Sequence, residues 1–400
     1  MISVAEAEET ILQYPGDYGC EEVYFQDALG RVLAQAIIAD RDMPAGNRAT
    51  MDGVAISFDA FENGTRAFAI NALQGAGDEP QAINAQTGCI EIMTGASLHE
   101  SVDTVIRYED IKIEEGTATL QIAQIKKGQN VHKRAADKKA GEVMVHAGML
   151  VTPDVVGATA FTGMQMLNVK RLPKIIVCSN GDELVDVSET PPVYKIRRSN
   201  SYTISAALRQ CGLDAELLHL PDNEEIIENE IAACLGKYDV MILSGGVSMG
   251  KYDLVTRALE KLLVKKLFHK VAQRPGKPFW FGVHDTGTRV FAFPGNPVST
   301  FMCLHRYFFP WYKASMGLKY EKAYAVLGSD VRFEPKLKYF MQVKLRINER
   351  GQVIGMPVEG NGSGDLGNLA EADAFMELPA ETDNFNKGEV YPIWPFKPIF

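Results

Sequence analysis

The stretch Asp239–Asp253, DVMILSGGVSMGKYD, reads as a short apolar strand (Val240 to Leu243), a turn of Ser and Gly, and the start of a helix. Ser244-Gly245-Gly246-Val247-Ser248 places two glycines where the backbone must bend sharply and expose its N–H groups, because glycine alone tolerates most of φ/ψ space. Such a turn, at the C-terminal end of a strand and feeding a helix, is an anion site built from backbone donors and the helix dipole. Asp253 adds a carboxylate suited to a cation. Taken alone, the stretch is equally an ordinary βα turn with a helix-capping Asp.

Three further stretches make the same shape. Lys174 to Cys178 (KIIVC) is an apolar run followed by Ser179-Asn180-Gly181-Asp182-Glu183, and Arg289 to Phe293 (RVFAF) is followed by Pro294-Gly295-Asn296-Pro297-Val298-Ser299. Between them, Lys195-Ile196-Arg197-Arg198-Ser199-Asn200 leads into a helical pattern from Tyr202 to Cys211. Strands alternating with helices imply a mostly parallel sheet, and ligands of open α/β sheets sit outside the carboxyl ends of the strands. All four polar turns are expected on that one edge.

Length bounds the rest. Four hundred residues exceed one core, so two to four domains are expected. The net charge of −10, with no basic run, argues against a nucleic-acid partner. No stretch is long and apolar enough to span a membrane, and the N-terminus lacks the basic and apolar regions of a signal peptide. The six cysteines (Cys20, Cys89, Cys178, Cys211, Cys234 and Cys303) lack CxxC spacing. They are expected to be free thiols, several buried, in a reducing cytoplasm. The seven histidines show no metal-ligand spacing, which argues against zinc.

Toward the N-terminus, Ser3-Val4-Ala5-Glu6 is a capping box that opens an amphipathic helix to about Tyr14. A β-like run, Gln35 to Ala39, precedes the loop Arg41–Gly53, which taken alone is a surface loop with an Asp-Gly turn. From Val54 to about Val131, short alternating runs (Ala67 to Ile70, Cys89 to Met93, Thr104 to Tyr108, Thr119 to Ile125) indicate a small β-rich domain. Within it, Ile92-Met93-Thr94-Gly95-Ala96 is a tight turn with exposed backbone donors. Lys133 to Glu142 is most simply a solvated, charged connection. Thr152 and Pro153 then cap and start a helix that ends near Gly163. After Trp311, runs over Ala323–Leu327, Leu337–Ile347, Gln352–Met356, Phe375–Leu378 and Val390–Trp394 form a small antiparallel barrel. It carries the hairpin turn Asn348–Gly351 and one Gly-rich loop, Gly360–Asp365.

The ordered set MDGVAI (51–56), IMTGASL (92–98), SNGDELV (179–185), SGGVSMGKYD (244–253), RPGKP (274–278) and FPGNPVS (293–299) resembles the molybdopterin molybdenumtransferases, the MoeA and gephyrin E-domain family. The likeness runs from the N-terminal helix to about Tyr312 and continues more weakly through GSGDLGNLAEAD (362–373). One SGGxS occurs by chance; six ordered matches do not.

The resemblance implies a multidomain α/β plus β protein in four parts. These are a linker domain from discontinuous chain (1–43 and 138–171), a β-rich lid (44–137), a molybdopterin-binding α/β domain with a mostly parallel sheet (172–318) and a C-terminal β-barrel (319–400). It implies a cytoplasmic homodimer that inserts molybdate into adenylylated molybdopterin, releasing AMP, with Mg²⁺ or a similar ion. The adenylyltransferase and molybdoenzyme acceptors are its implied protein partners.

Asp52, Thr94, Asp137, Glu183, Asp253, Lys270 and Lys277 match the family's functional positions. Asp52, Thr94 and Asp137 would reach the site from the facing subunit. Glu183 and Asp253 can supply hard oxygens to the metal, while Ser244, Gly245, Gly246, Ser248, Pro294, Gly295, Asn296 and Ser299 would hold the anionic substrate.

Two positions depart from the pattern. Arg198-Ser199-Asn200 stands where the family usually has Asp-Ser-Asn, and Lys251 where it has a small acidic or polar residue. With Arg198 beside Asp182 and Glu183, the expectation is a raised Mg²⁺ requirement; an oxyanion-holding role is the alternative. Rival functions are a catalytically impaired paralogue that binds molybdopterin or a partner protein, and a molybdopterin adenylyltransferase, which resembles the α/β domain alone.

Overall fold

The computed structural model describes residues 1–247 and 254–398. The chain divides into two compact units. One comprises Met1–Glu21, Gly30–Val32 and Asn168–Phe400; the other comprises Glu22–Leu29 and Leu33–Leu167.

In the first unit, the strand Val240–Ser244 lies inside a six-stranded sheet with all five residues buried. A strand covered on both faces needs apolar side chains at every position, which is why VMIL shows no polar alternation. Its side chains still alternate physically. Val240 and Ile242 pack with Ile204, Leu208 and Phe291, whereas Met241 and Leu243 pack with Ile227, Ile231, Val255 and Leu259. Helix Asn200–Arg209 therefore covers one face, and helices Glu224–Cys234 and Leu254–Lys261 cover the other. Each such aliphatic side chain contributes roughly 1.5–3 kcal/mol by leaving water.

The sheet order is Ala215–Leu220, Ile175–Asn180, Val240–Ser244, Arg289–Phe293, Trp280–Val283, Lys265–His269. The first four strands run parallel, Trp280–Val283 runs against them, and Lys265–His269 pairs antiparallel with Trp280–Val283. Register matters more than order here. Ser179 pairs with Ser244, Ser244 with Phe293, and Asn180 with Leu220, so the parallel strands end level and their turns leave the sheet along one edge.

The N-terminal helix, Val4–Leu12, has the expected capping box and buries Val4, Ala7 and Ile11, a spacing that lines one helical face. Five strands of the C-terminal region close into a barrel in the order Lys338–Ile347, Val353–Pro357, Ala323–Leu327, Val390–Pro395, Ala374–Leu378 and back to the first. The barrel is not wholly antiparallel as expected: Ala323–Leu327 pairs in parallel with Val353–Pro357. Closure removes the exposed edges that a small open sheet would present. A short strand, Gln273–Arg274, adds in parallel to Lys338–Tyr339.

The second unit holds a mixed six-stranded sheet ordered Thr104–Arg107, Gly53–Ile56, Gly88–Ile92, Ala67–Gln74, Thr117–Leu120, Ile111–Glu114. Gly53 is required by contact: a Cβ there would meet the Ile106 backbone and stand 2.9 Å from Arg107 Cα. The strand expected to reach Ile125 stops at Leu120, which pairs with Ile111, the first residue of its partner strand; one further bond, Gln121 N to Asp110 O at 2.8 Å, follows. Thr152 occupies the N-cap of helix Pro153–Phe161, but its side chain makes no cap hydrogen bond.

Candidate functional site

The level strand ends of the first unit open a cavity of about 860 Å³. Its lining takes in the four turns singled out in the sequence: Ser179–Gly181 and Glu183; Ile196–Asn200; Ser244–Val247; and Pro294–Pro297. Asn200 ties three of them together. Its Nδ2 donates to Ser244 Oγ (2.8 Å), Gly295 O (2.7 Å) and Thr300 Oγ1 (3.3 Å). Gly245 and Gly246 have φ of +96° and +68°, and a Cβ on Gly245 would lie 2.7 Å from Asn180 O. Only glycine lets this turn lie flat against the neighbouring strand end. Ser248 and Asp253, expected next along this turn, lie outside the described residues, as does Lys251.

Among the described residues, Glu183 and Asp222 are the carboxylates on the wall of this cavity. Asp222 is fixed by Asn180 Nδ2 (3.1 Å) and the Asp182 amide (3.2 Å), and Asp182 Oδ1 accepts in return from the Asp222 amide (3.0 Å). Arg198 also lines the cavity, but its partner corrects the expectation. Nη2 sits 2.5 Å from Asp186 Oδ2, and no bond joins it to Asp182 or Glu183 among the described residues. The pairing of Leu184–Val185 with Ile196–Arg197 brings Arg198 beside that carboxylate.

A second cavity of about 540 Å³ adjoins the first and shares Pro278, Pro294 and Asn296 with it. Lys277, Arg274, Ser299, Gln342 and Ser363 are among its lining residues. Asn296 Nδ2 donates to Ser363 Oγ at 2.7 Å, and the Val298 amide donates to Ser363 O at 3.0 Å. The Gly-rich loop 360–365 of the barrel is thereby fastened to the turn after Phe293. Lys270 stands apart: it has a positive φ of 73° and its amide bonds Phe279 O at 2.9 Å, but it lines neither cavity.

Within the second unit, Asp52 and Thr94 meet. The amide and hydroxyl of Thr94 both donate to Asp52 Oδ1, at 2.6 and 2.8 Å. The backbone bond, then the hydroxyl, hold the Asp52 carboxyl below the usual carboxylate range. Asp137 pairs with His132, whose Nε2 lies 2.9 Å from its Oδ1.

Three family models match consecutive parts of the chain. The MoeA N-terminal region (domain I and II) matches residues 2–163, a "Probable molybdopterin binding domain" matches 176–314, and the MoeA C-terminal region (domain IV) matches 324–396. A molybdopterin molybdenumtransferase of Synechocystis is 36% identical over 397 residues, covering 98% of this chain and 100% of that one. The chain belongs to the MoeA family, the molybdopterin molybdenumtransferases. The relative of that name from Haemophilus influenzae is 30% identical, with 99% of both chains covered. The crystal structure of a molybdopterin biosynthesis MoeA protein from Pyrococcus horikoshii superposes with a TM-score of 0.85 at 26% identity, covering both chains in full.

Residues of the candidate site that the sequence did not announce are Asp222, Thr300, Ser363 and Arg274. Asp222 lies two residues past the end of an edge strand, Ala215–Leu220, whose burial is irregular, yet Leu217 to Leu220 followed by Pro-Asp-Asn was a readable strand-and-turn signal. Thr300 donates to Pro294 O at 2.5 Å and braces the Asn296 turn. Ser363 and Arg274 were visible only as parts of a Gly-rich loop and of the RPGKP motif.

Proposed function

We propose that the chain acts in molybdenum cofactor biosynthesis as a molybdopterin molybdenumtransferase, inserting molybdate into the dithiolene of adenylylated molybdopterin and releasing AMP. The observation that carries this reading is the junction of the two cavities at Pro278, Pro294 and Asn296. The larger offers room and turn amides for a pterin nucleotide. The smaller sets Lys277 and Arg274 beside the hydroxyls of Ser299 and Ser363, a donor set suited to a compact tetrahedral oxyanion. A substrate spanning the junction would present its dithiolene to an oxyanion already held, which lowers the entropic part of the barrier.

Among the described residues, no group of three or more His, Cys, Asp or Glu side chains is arranged to hold a metal ion. Glu183 and Asp222 nevertheless fit Mg²⁺, which binds through one or two carboxylates and completes its shell with water and substrate phosphate oxygens. Asp253 is the further ligand that family resemblance implies. Bound there, the ion would neutralise charge on the pyrophosphate linkage.

The working division remains four parts, and the working assembly a homodimer. In it, Asp52, Thr94 and Asp137 reach the reaction from the second subunit. No helix of the described residues is long and apolar enough to cross a membrane; we place the protein in the cytoplasm, supplied by the adenylyltransferase and delivering to molybdoenzymes.

The test is incubation of the purified protein with adenylylated molybdopterin, molybdate and Mg²⁺, following AMP release and activation of a cofactor-free nitrate reductase. Binding without AMP release would make the chain a non-catalytic paralogue, and ATP-dependent adenylylation would make it an adenylyltransferase. Light scattering after size exclusion checks the dimer; a monomer mass at micromolar concentration would overturn the shared site.

A further inference from the structure

Lys277 is exposed, and no ion pair holds its ammonium among the described residues. Its position is therefore set by the turn that carries it. That turn is closed by Val271 N to Lys277 O and Lys270 N to Phe279 O, both 2.9 Å. From beneath, it is held by one buried side chain. Gln273 is fully buried, its Nε2 donates to Gly276 O at 2.9 Å, and its Oε1 accepts from the hydroxyl of Tyr307. Tyr307 is itself buried, on the helical stretch that continues from Pro297–Cys303 and so from Ser299.

The turn has no slack against that stretch. Gly276 has φ +88°, and a Cβ on it would come within 2.8 Å of Met302 Cε and 2.9 Å of Cys303 Sγ. Gln273 also pairs with Lys338 of the barrel. Gln273 thus joins the Lys277 turn to the Ser299 helix through the Tyr307 hydroxyl and, at 3.7 Å, Cys303 Sγ, at the point where the barrel strand is registered. An apolar pair of the same shape could fill this volume with little loss of stability. It could not fix the height of the Gly276 carbonyl.

We infer that Tyr307 and Gln273 are positioning residues for the oxyanion end of the site, setting where the Lys277 ammonium stands. The inference rests on the reading that the Lys277 cavity takes molybdate. Neither residue touches the reacting atoms in this role.

The experiment compares Tyr307→Phe, Gln273→Met and the double variant with Lys277→Ala, measuring thermal unfolding, molybdate binding by calorimetry, and KM and kcat for each substrate. Tyr307→Phe is expected to raise the molybdate KM ~10-fold or more, the scale on which small misplacements act, while moving the KM for adenylylated molybdopterin far less. The double variant should recover unfolding temperature lost by the single ones but not molybdate affinity. Parental molybdate affinity in the double variant, or in Tyr307→Phe, would show a merely structural pair. If Gln273→Met does not fold, Tyr307→Phe decides alone. If Lys277→Ala leaves molybdate binding intact, the reading of the cavity fails; if Lys277→Ala weakens it and Tyr307→Phe does not, only the positioning role falls.

Discussion

Arg198 Nη2 lies 2.5 Å from Asp186 Oδ2, with the Arg side chain 23% and the Asp side chain 39% exposed. The guanidinium is thus neutralised by a carboxylate twelve residues upstream. Asp186, bonded first by the amide and hydroxyl of Ser188 and then by Arg198, is held below the ordinary carboxylate range. A solvent-accessible pair of this kind contributes little to stability.

The raised Mg²⁺ requirement expected from an uncompensated Arg198 is accordingly revised. Arg198→Ala should shift the Mg²⁺ concentration for half-maximal molybdate insertion by no more than about 5-fold, because exposed ion pairs couple weakly to their surroundings. A Mg²⁺ titration of both proteins checks this, and a larger fall would mean that Arg198 acts on the metal despite Asp186.

Asn200→Ala removes the donor shared by Ser244, Gly295 and Thr300. Ser244 and Thr300 are buried and keep their bond to each other, so the loss of the shared donor is expected to cost about 1 kcal/mol. Urea unfolding should show a lower midpoint at constant m-value, together with loss of molybdate insertion. Parental stability would mean that the three turns hold themselves in place.

Thr94→Val deletes one of two bonds to Asp52 and keeps the amide. The Asp52 carboxyl, held low by Thr94, should titrate closer to its ordinary value without reaching it, as followed by carboxyl-carbon NMR. An unmoved titration would assign the whole effect to the backbone.

Much of this site was legible because strand ends bordered by Gly and Pro are strong local signals. Arg289–Phe293 begins and ends where the sequence places it, since Pro294-Gly295 cannot extend the ladder. What stayed hidden depends on pairing across distance. The Arg198–Asp186 bond needs two dipeptide strands to meet, and His132–Asp137 needs a loop to fold back on itself. The helix Leu366–Glu371, capped by Asp365, was concealed by its six-residue length beside a Gly-rich loop.

Burial pushes the imidazole of His305 from 6.5 down to about 3. Part of the residue surface is open, yet Nε2 itself is buried without a partner. In that window the unfolded chain binds a proton that the folded chain refuses. Stability from this group is therefore complete above pH 6.5 and falls as pH drops, by roughly 1.4 kcal/mol per unit at the steepest. His305→Phe, placed among Phe301, Phe309 and Phe396, should flatten the slope of unfolding free energy between pH 6 and 5. Equal slopes in the two proteins would remove His305 as the cause.

The first 21 residues belong to the same unit as Asn168–Phe400, and their anchors lie deep within that segment. Trp311 Nε1 donates to Tyr14 O at 2.8 Å, Arg289 Nη2 to Pro15 O at 2.6 Å, and the Gly16 amide to Ser315 Oγ at 2.9 Å across a separation of 299 residues. During synthesis at ~5–20 residues per second, the amino-terminal helix must wait roughly 15–60 s for these partners to be made. Its apolar face, Val4, Ala7 and Ile11, has no native surface to pack on until those partners emerge.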